Sequence, residues 1–369
     1  MSRPASSDVK VSPFRFFSKK EWTQAAKQEL EGAGPVEILN RRIDEVDIFP
    51  YYDLSDLPLA DFQLPLSQNE FLGPRSWFNL PRIPVNNPKE ANAQALLSLN
   101  SGADGILFDL QGPADPNVLF EKIEMPYCGT VFLAAGGHED FFYKLVALAK
   151  ARKYSASSLA GAIFWKGPPL KPLETIEQFK SWSQFHPLGI IADELTSPTS
   201  EIAGLLAKAV KQLDDFTGKK VQINQGLHSV AFSIFIGVDF FLEIAKLKAL
   251  RFLWLQVAKA YDPHYSAPVF VHATIKAWEN QAYQPHGNMI RGTMAAMSAI
   301  LGGCDSLTVQ PADQLSGMMT RVARNVSTIL REESHLGKVS DPTAGSYYVD
   351  KLTDQLAAGA WEKFQRLVK

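Results

Sequence analysis

Cysteine is scarce in this chain: two among 369 residues, Cys128 and Cys304, far apart and without ligand-like neighbours. That count excludes a disulfide-stapled scaffold and fits buried free thiols of a cytosolic protein. The opening Met1-Ser-Arg-Pro-Ala-Ser-Ser7 lacks the apolar core of a signal peptide. The most hydrophobic stretch, Ser229 to Tyr261, is broken by Asp239, Glu243, Lys246, Lys248, Arg251 and Lys259, which excludes a bilayer span. The expectation is a soluble, cytoplasmic protein with no membrane contact. Charge of one sign is not in excess either, with Lys+Arg 37 against Asp+Glu 39 and no basic stripe. A nucleic-acid partner is therefore not expected. Neither Gly-x-x-x-x-Gly-Lys-Ser/Thr nor Gly-x-Ser-x-Gly occurs. None of the 7 histidines has metal-ligand spacing; His138-Glu-Asp140 has no partner histidine a turn away. No metal site is expected.

What is present is ordinary globular composition, 46% hydrophobic and 21% charged. Ser18 and Glu21 have capping-box spacing and open a helix from about Lys19 to Leu30, with Gly32, Gly34 and Pro35 as its stop. From Val36 to Pro88 the chain reads as extended and irregular, with little core of its own: a wrapping arm. Beyond Pro88, helices alternate with short apolar strands. Lys89–Leu99 reads as a helix, Ser101-Gly-Ala-Asp-Gly105 as its end and Ile106–Leu110 as a strand. The same grammar returns at Thr293–Leu301, Gly302-Gly-Cys-Asp305 and Ser306–Gln310. Gly129–Ala135, Leu159–Trp165, Leu188–Asp193 and Val269–Thr274 are further strand candidates. Short strands spaced by helices pair in parallel through crossovers. No glycine-rich nucleotide turn follows the first of them. The fold expected is α/β, a (β/α)8 TIM-type barrel over residues 81–369, preceded by the N-terminal helix and arm over residues 1–80.

In such a barrel, chemistry sits at the C-terminal strand ends: here Asp109, Asp193, Glu194, His272 and Gln310. Asp109 and His272 qualify as acids or bases by position, although a polar residue closing a strand also serves structure. Glu332 and Glu333 are adjacent on a helix, face different ways, and read as surface charge. Asp239–Tyr261 reads as a long helix apolar nearly all round, buried between barrel and arm or against another chain.

Several blocks together resemble the substrate barrel of adenosylcobalamin-dependent methylmalonyl-CoA mutases. Asp239-Phe-Phe-Leu-Glu-Ile-Ala-Lys-Leu-Lys-Ala-Leu-Arg-Phe-Leu-Trp254 is similar to the family's NFFMEIAKxRAARxLW helix. Arg321-Val-Ala-Arg-Asn325, Glu332-Glu-Ser334, Asp341-Pro-Thr-Ala-Gly-Ser-Tyr-Tyr-Val349 and Leu352-Thr353 follow in the family's order. Between them Trp278, Gln284, Asn288, Arg291 and Met294–Leu307 keep that order, as do Pro88-Lys-Glu-Ala-Asn92 and Gly105–Leu110 upstream.

The departures from the family pattern bear on function. Aligning Trp77 and Lys89-Glu90 puts Arg82 where active members carry a barrel tyrosine. Their strand-end histidine has no counterpart in Leu188-Gly-Ile-Ile-Ala-Asp-Glu-Leu-Thr-Ser197, and His186 lies before that strand. In Phe270-Val-His-Ala-Thr-Ile-Lys-Ala-Trp278 the histidine and tryptophan stay, while the family's arginine, glutamine and serine are lost. Asp262-Pro-His264 imitates part of the cobalamin-ligand motif Asp-x-His-x-x-Gly, but Ala267 stands at its glycine. The sequence ends at Lys369 without the cobalamin-binding domain of the large subunits. The resemblance thus implies a non-catalytic small subunit of a heterodimeric mutase. It would have no catalytic residue and no cofactor of its own, with barrel-rim remnants at Asp109, His272, Trp278, Gln284, Asn288 and Arg291. Adenosylcobalamin and catalysis would belong to the large subunit. The alternatives are an active acyl-CoA mutase barrel served by a separately encoded cobalamin subunit, and a repurposed barrel with its own small-molecule site around Asp109 and His272. A barrel centre filled by side chains, Arg82 and Phe270 among them, goes with the first reading.

Overall fold

The computed structural model describes residues 17–30, 36–43, 45–57, 75–194, 197–216, 222–277, 287–313 and 316–369. Its N-terminal helix, α1 (Lys19–Glu29), opens with Ser18 accepting from the Glu21 backbone while the Glu21 carboxylate returns to the Ser18 N–H. That reciprocal box is the one the spacing announces. A short antiparallel hairpin follows, β1 (Arg41–Ile43) and β2 (Val46–Ile48). It is held to the body by Gln355, which accepts from the Asp47 N–H and donates to the Asp47 carbonyl.

The remaining strands are β3 (Phe78–Asn79), β4 (Arg82–Val85), β5 (Gly105–Leu110), β6 (Gly129–Ala134), β7 (Gly161–Trp165), β8 (Phe185–Ile191), β9 (Val230–Phe235), β10 (Phe270–Ile275) and β11 (Ser306–Val309). Between and after them run α2 (Pro88–Leu99), α3 (Pro116–Leu119), α4 (Glu139–Ala151), α5 (Pro172–Phe179), α6 (Pro198–Phe216), α7 (Ile223–Ser229), α8 (Phe240–Tyr261), α9 (Gly287–Gly302), α10 (Gly317–Glu332) and α11 (Tyr347–Leu367). Every strand pairing from β3 to β11 is parallel, in the order β3-β11-β10-β9-β8-β7-β6-β5-β4. β5 and β7 are buried along their whole length, as parallel strands under helices must be.

The two ends of that order are one stretch of chain. β3 and β4 are separated only by Leu80 and Pro81. Leu80 donates to Leu307 O on β11, while Pro81 O accepts from Leu107 on β5. The run from Phe78 to Val85 therefore pairs on both sides and closes the sheet into an eight-stranded barrel. The domain division expected after residue 80 falls between β3 and β4. Gly161 on β7 has φ +150° and lies so close to β6 that a Cβ there would meet the Thr130 carbonyl oxygen at 1.8 Å. Only glycine fits such an approach.

Strand alternation fills the barrel. Leu80, Leu107, Val131, Ala162, Phe164, Ala231 and Phe270 form one buried cluster, with Phe78, Leu133 and Ile191 packed against it. The outer core lies between strands and helices. α8 is buried along most of its length, from Leu242 to Ala258, against α6, α9 and α11. Two strands differ from expectation. β8 starts at Phe185, so His186 is inside it; its ring stacks on Phe270 at 5.4 Å, and Nδ1 is 2.7 Å from His228 O. β9 occupies the first part of the Ser229–Tyr261 run, ahead of the helix.

Candidate functional site

Side chains two apart on a strand share a face. Leu80, Leu107 and Phe164 point into the barrel, so Arg82, Asp109 and Lys166 stand above them at the C-terminal mouth. Asp109 is 0% exposed, while Arg82 and Lys166 are 38% and 41% exposed. One Asp109 oxygen takes Arg82 Nη2 at 2.6 Å and Gln111 Nε2 at 3.2 Å, and the other takes Lys166 Nζ. Burial alone would push the carboxyl up. The hydrogen bonds from Lys166 and Arg82, the guanidinium charge and Gln111 outweigh it and hold Asp109 below the usual carboxylate range.

His272 lies on the inner face of β10, two residues beyond Phe270. It is wholly buried, with Nδ1 2.8 Å from Ser306 Oγ and its ring 5.7 Å from that of Phe164. Its Nε2 is buried without a hydrogen-bond partner in the protein, and burial lowers its pKa to about 3. This imidazole is neutral and enclosed by the barrel.

The other half of the mouth also carries charge pairs. Lys276 Nζ lies 2.7 Å from Glu194 and 4.1 Å from the centre of the Phe235 ring, and Lys208 holds Asp193 at 2.7 Å. Beneath Phe235, the buried Lys246 ammonium reaches Glu201 and Glu243, each at 2.8 Å, and the Phe235 carbonyl at 2.7 Å. Burial opposes the charge on Lys246, but the two carboxylates prevail and raise its pKa. For Glu201 burial is the largest influence and raises the carboxyl despite Lys246. Ser197, at the start of α6, shares the Lys363 ammonium with Thr199 and Ser200.

Among the expected rim residues the structure brings Arg82 to Asp109 and keeps His272 apart, deeper in the barrel. Asn288 and Arg291 are on α9, outside the barrel wall. Asn288 lines a cavity of about 30 Å³ with Ile275, Gln310 and Met319. Trp278 and Gln284 lie outside the described residues. Among the described residues, no three His, Cys, Asp or Glu side chains group as metal ligands. Cys304 is buried and Cys128 half-buried; both thiols are free, and burial raises them to about 12 and about 11. No described helix is long and apolar enough to cross a membrane. Lys166 and the Lys246 trio were not singled out in the sequence. Their signals were a lysine two residues beyond a buried aromatic, and a Glu-x-x-Lys pair within a largely apolar helix.

The fold and mouth define a β/α-barrel protein whose axis is occupied by side chains and whose rim is tied by ion pairs. The model of the methylmalonyl-CoA mutase family matches residues 183–369, and the chain belongs to that family. A methylmalonyl-CoA mutase small subunit of Porphyromonas gingivalis is 28% identical over 96% of this chain and 63% of its own length. A probable methylmalonyl-CoA mutase small subunit of Mycobacterium tuberculosis is 37% identical over 50% of this chain and 30% of its own. The methylmalonyl-CoA mutase of Escherichia coli is 25% identical over 94% of this chain and 58% of its own. The matches thus span between 30% and 63% of these relatives' lengths.

Proposed function

We propose that this chain is the small, non-catalytic subunit of an adenosylcobalamin-dependent methylmalonyl-CoA mutase. In this reading a large subunit holds the acyl-CoA and the cobalamin and interconverts methylmalonyl-CoA and succinyl-CoA in the cytoplasm. The observation that carries the reading is the filled barrel axis: Leu107, Phe164 and Phe270 pack where a thioester would have to thread, and Arg82–Asp109–Lys166 close the mouth above them. The printed names of the relatives supply the subunit role.

The described residues do not fit a corrin held by this chain. His272 has an unpartnered Nε2 but is 0% exposed. His186 lies toward the opposite, N-terminal end of the barrel, and the rim offers ion pairs in place of a free axial donor. In this reading cobalamin chemistry belongs to the partner.

The arm supports a partner. Phe17 (59% exposed) and Leu54 (69%) border an open groove of about 1270 Å³ together with Trp22, Tyr51, Tyr52 and Tyr347. Aromatic contacts run on from Phe49 through Tyr52 and Tyr348 to Phe241. Glu21, Gln24, Gln28 and Asp53 also line the groove, and an aromatic-rich face with a polar rim is what a protein partner covers. The test is turnover: purified chain supplied with adenosylcobalamin and methylmalonyl-CoA is expected to form no succinyl-CoA, and the same assay with the co-expressed long chain is expected to form it. Turnover by this chain alone would overturn the reading in favour of an active barrel served by a separate cobalamin subunit.

A further inference from the structure

We propose that the barrel interior binds one water molecule between His272 and Ser233, as a fixed part of its core. Residues paired across parallel strands point to the same face of the sheet. His272 on β10 pairs with Ser306 on β11 and with Ser233 on β9, so a Ser–His–Ser row crosses the wall. Ala231 and Phe270, two residues earlier on β9 and β10, belong to the cluster inside the barrel. The row therefore lies on the inner face.

Only one side of the imidazole is satisfied. Nδ1 lies 2.8 Å from Ser306 Oγ, on the β11 side. The two ring nitrogens sit on opposite sides of the line through Cβ and Cγ. With Nδ1 turned to β11, Nε2 points toward the barrel axis and the β9 side, where Ser233 stands. Nε2 is buried with no hydrogen-bond partner, so Ser233 Oγ stops short of bonding it directly. Thr308 offers no help, because its hydroxyl donates to Leu80 O. A buried nitrogen left unpaired costs more stability than ordering one water does.

Water also has room there. Ser233 keeps 4% of its surface accessible, whereas His272 and Ser306 keep 0%. β8 and β10 cover both edges of its backbone, and the neighbouring Phe232 packs outward on Trp254. The accessible part thus faces the barrel axis, and accessible surface is surface that a water molecule can touch. Phe164, its ring 5.7 Å from that of His272, bounds the space on the apolar side and favours the smallest polar ligand. An ion would be stranded among neutral groups. Depending on which way the bond between Nδ1 and Ser306 runs, Nε2 is a bare acceptor or an N–H donor. Water answers both, since it donates and accepts.

A crystal structure of the full-length chain should show density within about 2.7–3.2 Å of both Nε2 and Ser233 Oγ. Equilibrium unfolding of variants tests the same site in solution. Ser233→Ala leaves the water on Nε2, whereas Ser233→Val puts methyl groups in its place and strands the nitrogen. Ser233→Val should therefore unfold with an equilibrium constant about tenfold larger than Ser233→Ala. A dry apolar gap would give the reverse order, because added methyls fill it. In a His272→Leu background no nitrogen remains to be stranded, and the valine variant should become the more stable of the two. Absence of density between the two side chains overturns the proposal. So does the same order of the valine and alanine variants with and without His272, which marks simple filling or simple crowding. Where His272→Leu does not fold, the density alone decides. All readings are taken on the isolated chain, so their failure leaves the small-subunit reading untouched.

Discussion

His272 shows how burial turns one side chain into an acid sensor. Its imidazole titrates near 6.5 in an unfolded chain and at about 3 in the fold, because the charged form would be stranded inside the barrel. Between those values the unfolded chain binds the extra proton, so stability is complete above the unfolded value and drains away as pH falls toward the folded one. Replacing His272 with Asn keeps a polar partner for Ser306 and removes the titration. Urea unfolding at about pH 7 and pH 5 should then show about 2 kcal/mol less acid destabilisation in His272→Asn than in the parent chain. Asp109 adds a later step. Its folded pKa is depressed, so its contribution is present above about 3.9 and is lost as pH falls through the lower, folded value.

At the scale of elements, α8 carries its polar groups inward. Lys246 compensates two buried carboxylates from α6 and its own helix, and pins the end of β9 through the Phe235 carbonyl. Removing the ammonium alone strands those charges. Lys246→Met should cost about 3–5 kcal/mol in chemical denaturation, and adding Glu201→Gln and Glu243→Gln should recover part of the loss. On β7, Gly161→Ala would drive a Cβ into the Thr130 carbonyl and should destabilise by at least about 3 kcal/mol in the same assay.

Elements of this kind differ in how legible they are in a sequence. Ile106–Leu110 and Ser306–Gln310 stand out because a glycine turn precedes a short apolar run, and α8 stands out by family resemblance. Neither β3 nor β4 was read as a strand, because Pro81, Arg82 and Pro84 give that stretch the texture of irregular chain. It becomes a strand only when β11 and β5 supply partners from both sides. β9 was not among the strand candidates, although the helix after it was read from Asp239 and begins at Phe240. Asp109 and Arg82 were visible as candidates. Lys166 was not, because β6 lies between β5 and β7 and only the curvature of the sheet lets the lysine reach across.

At the scale of the whole molecule, the arm both embraces the barrel and faces outward. Val46 and Ile48 belong to the main core, yet Phe17, Ile38, Phe49 and Leu54 remain exposed. Asp53 and Asp56 in the arm are poor probes of association. Both carboxylates prove to be spent within the arm, Asp53 on the Ser55 N–H and Asp56 on Lys19 and the Asp53 N–H. The exposed apolar positions are cleaner probes. Phe17→Asp and Leu54→Asp should leave the melting temperature of the isolated chain nearly unchanged. Both should abolish co-elution with the large subunit if the face is buried in an interface above roughly 2,000 Å². Size-exclusion chromatography with light scattering on co-expressed chains decides it.

The strand that closes the barrel carries a consequence for synthesis. Phe78 and Leu80 wait for β11, whose residues are more than two hundred positions further along. During translation every earlier strand can zip onto its predecessor as it leaves the ribosome, but the seam stays open until Ser306–Val309 has emerged. Until then the nascent sheet shows two bare edges of unpaired backbone, the kind of surface that invites wrong pairings. Ribosome-stalled chains long enough to expose β11 outside the exit tunnel, and chains too short to do so, should therefore differ abruptly in protease resistance.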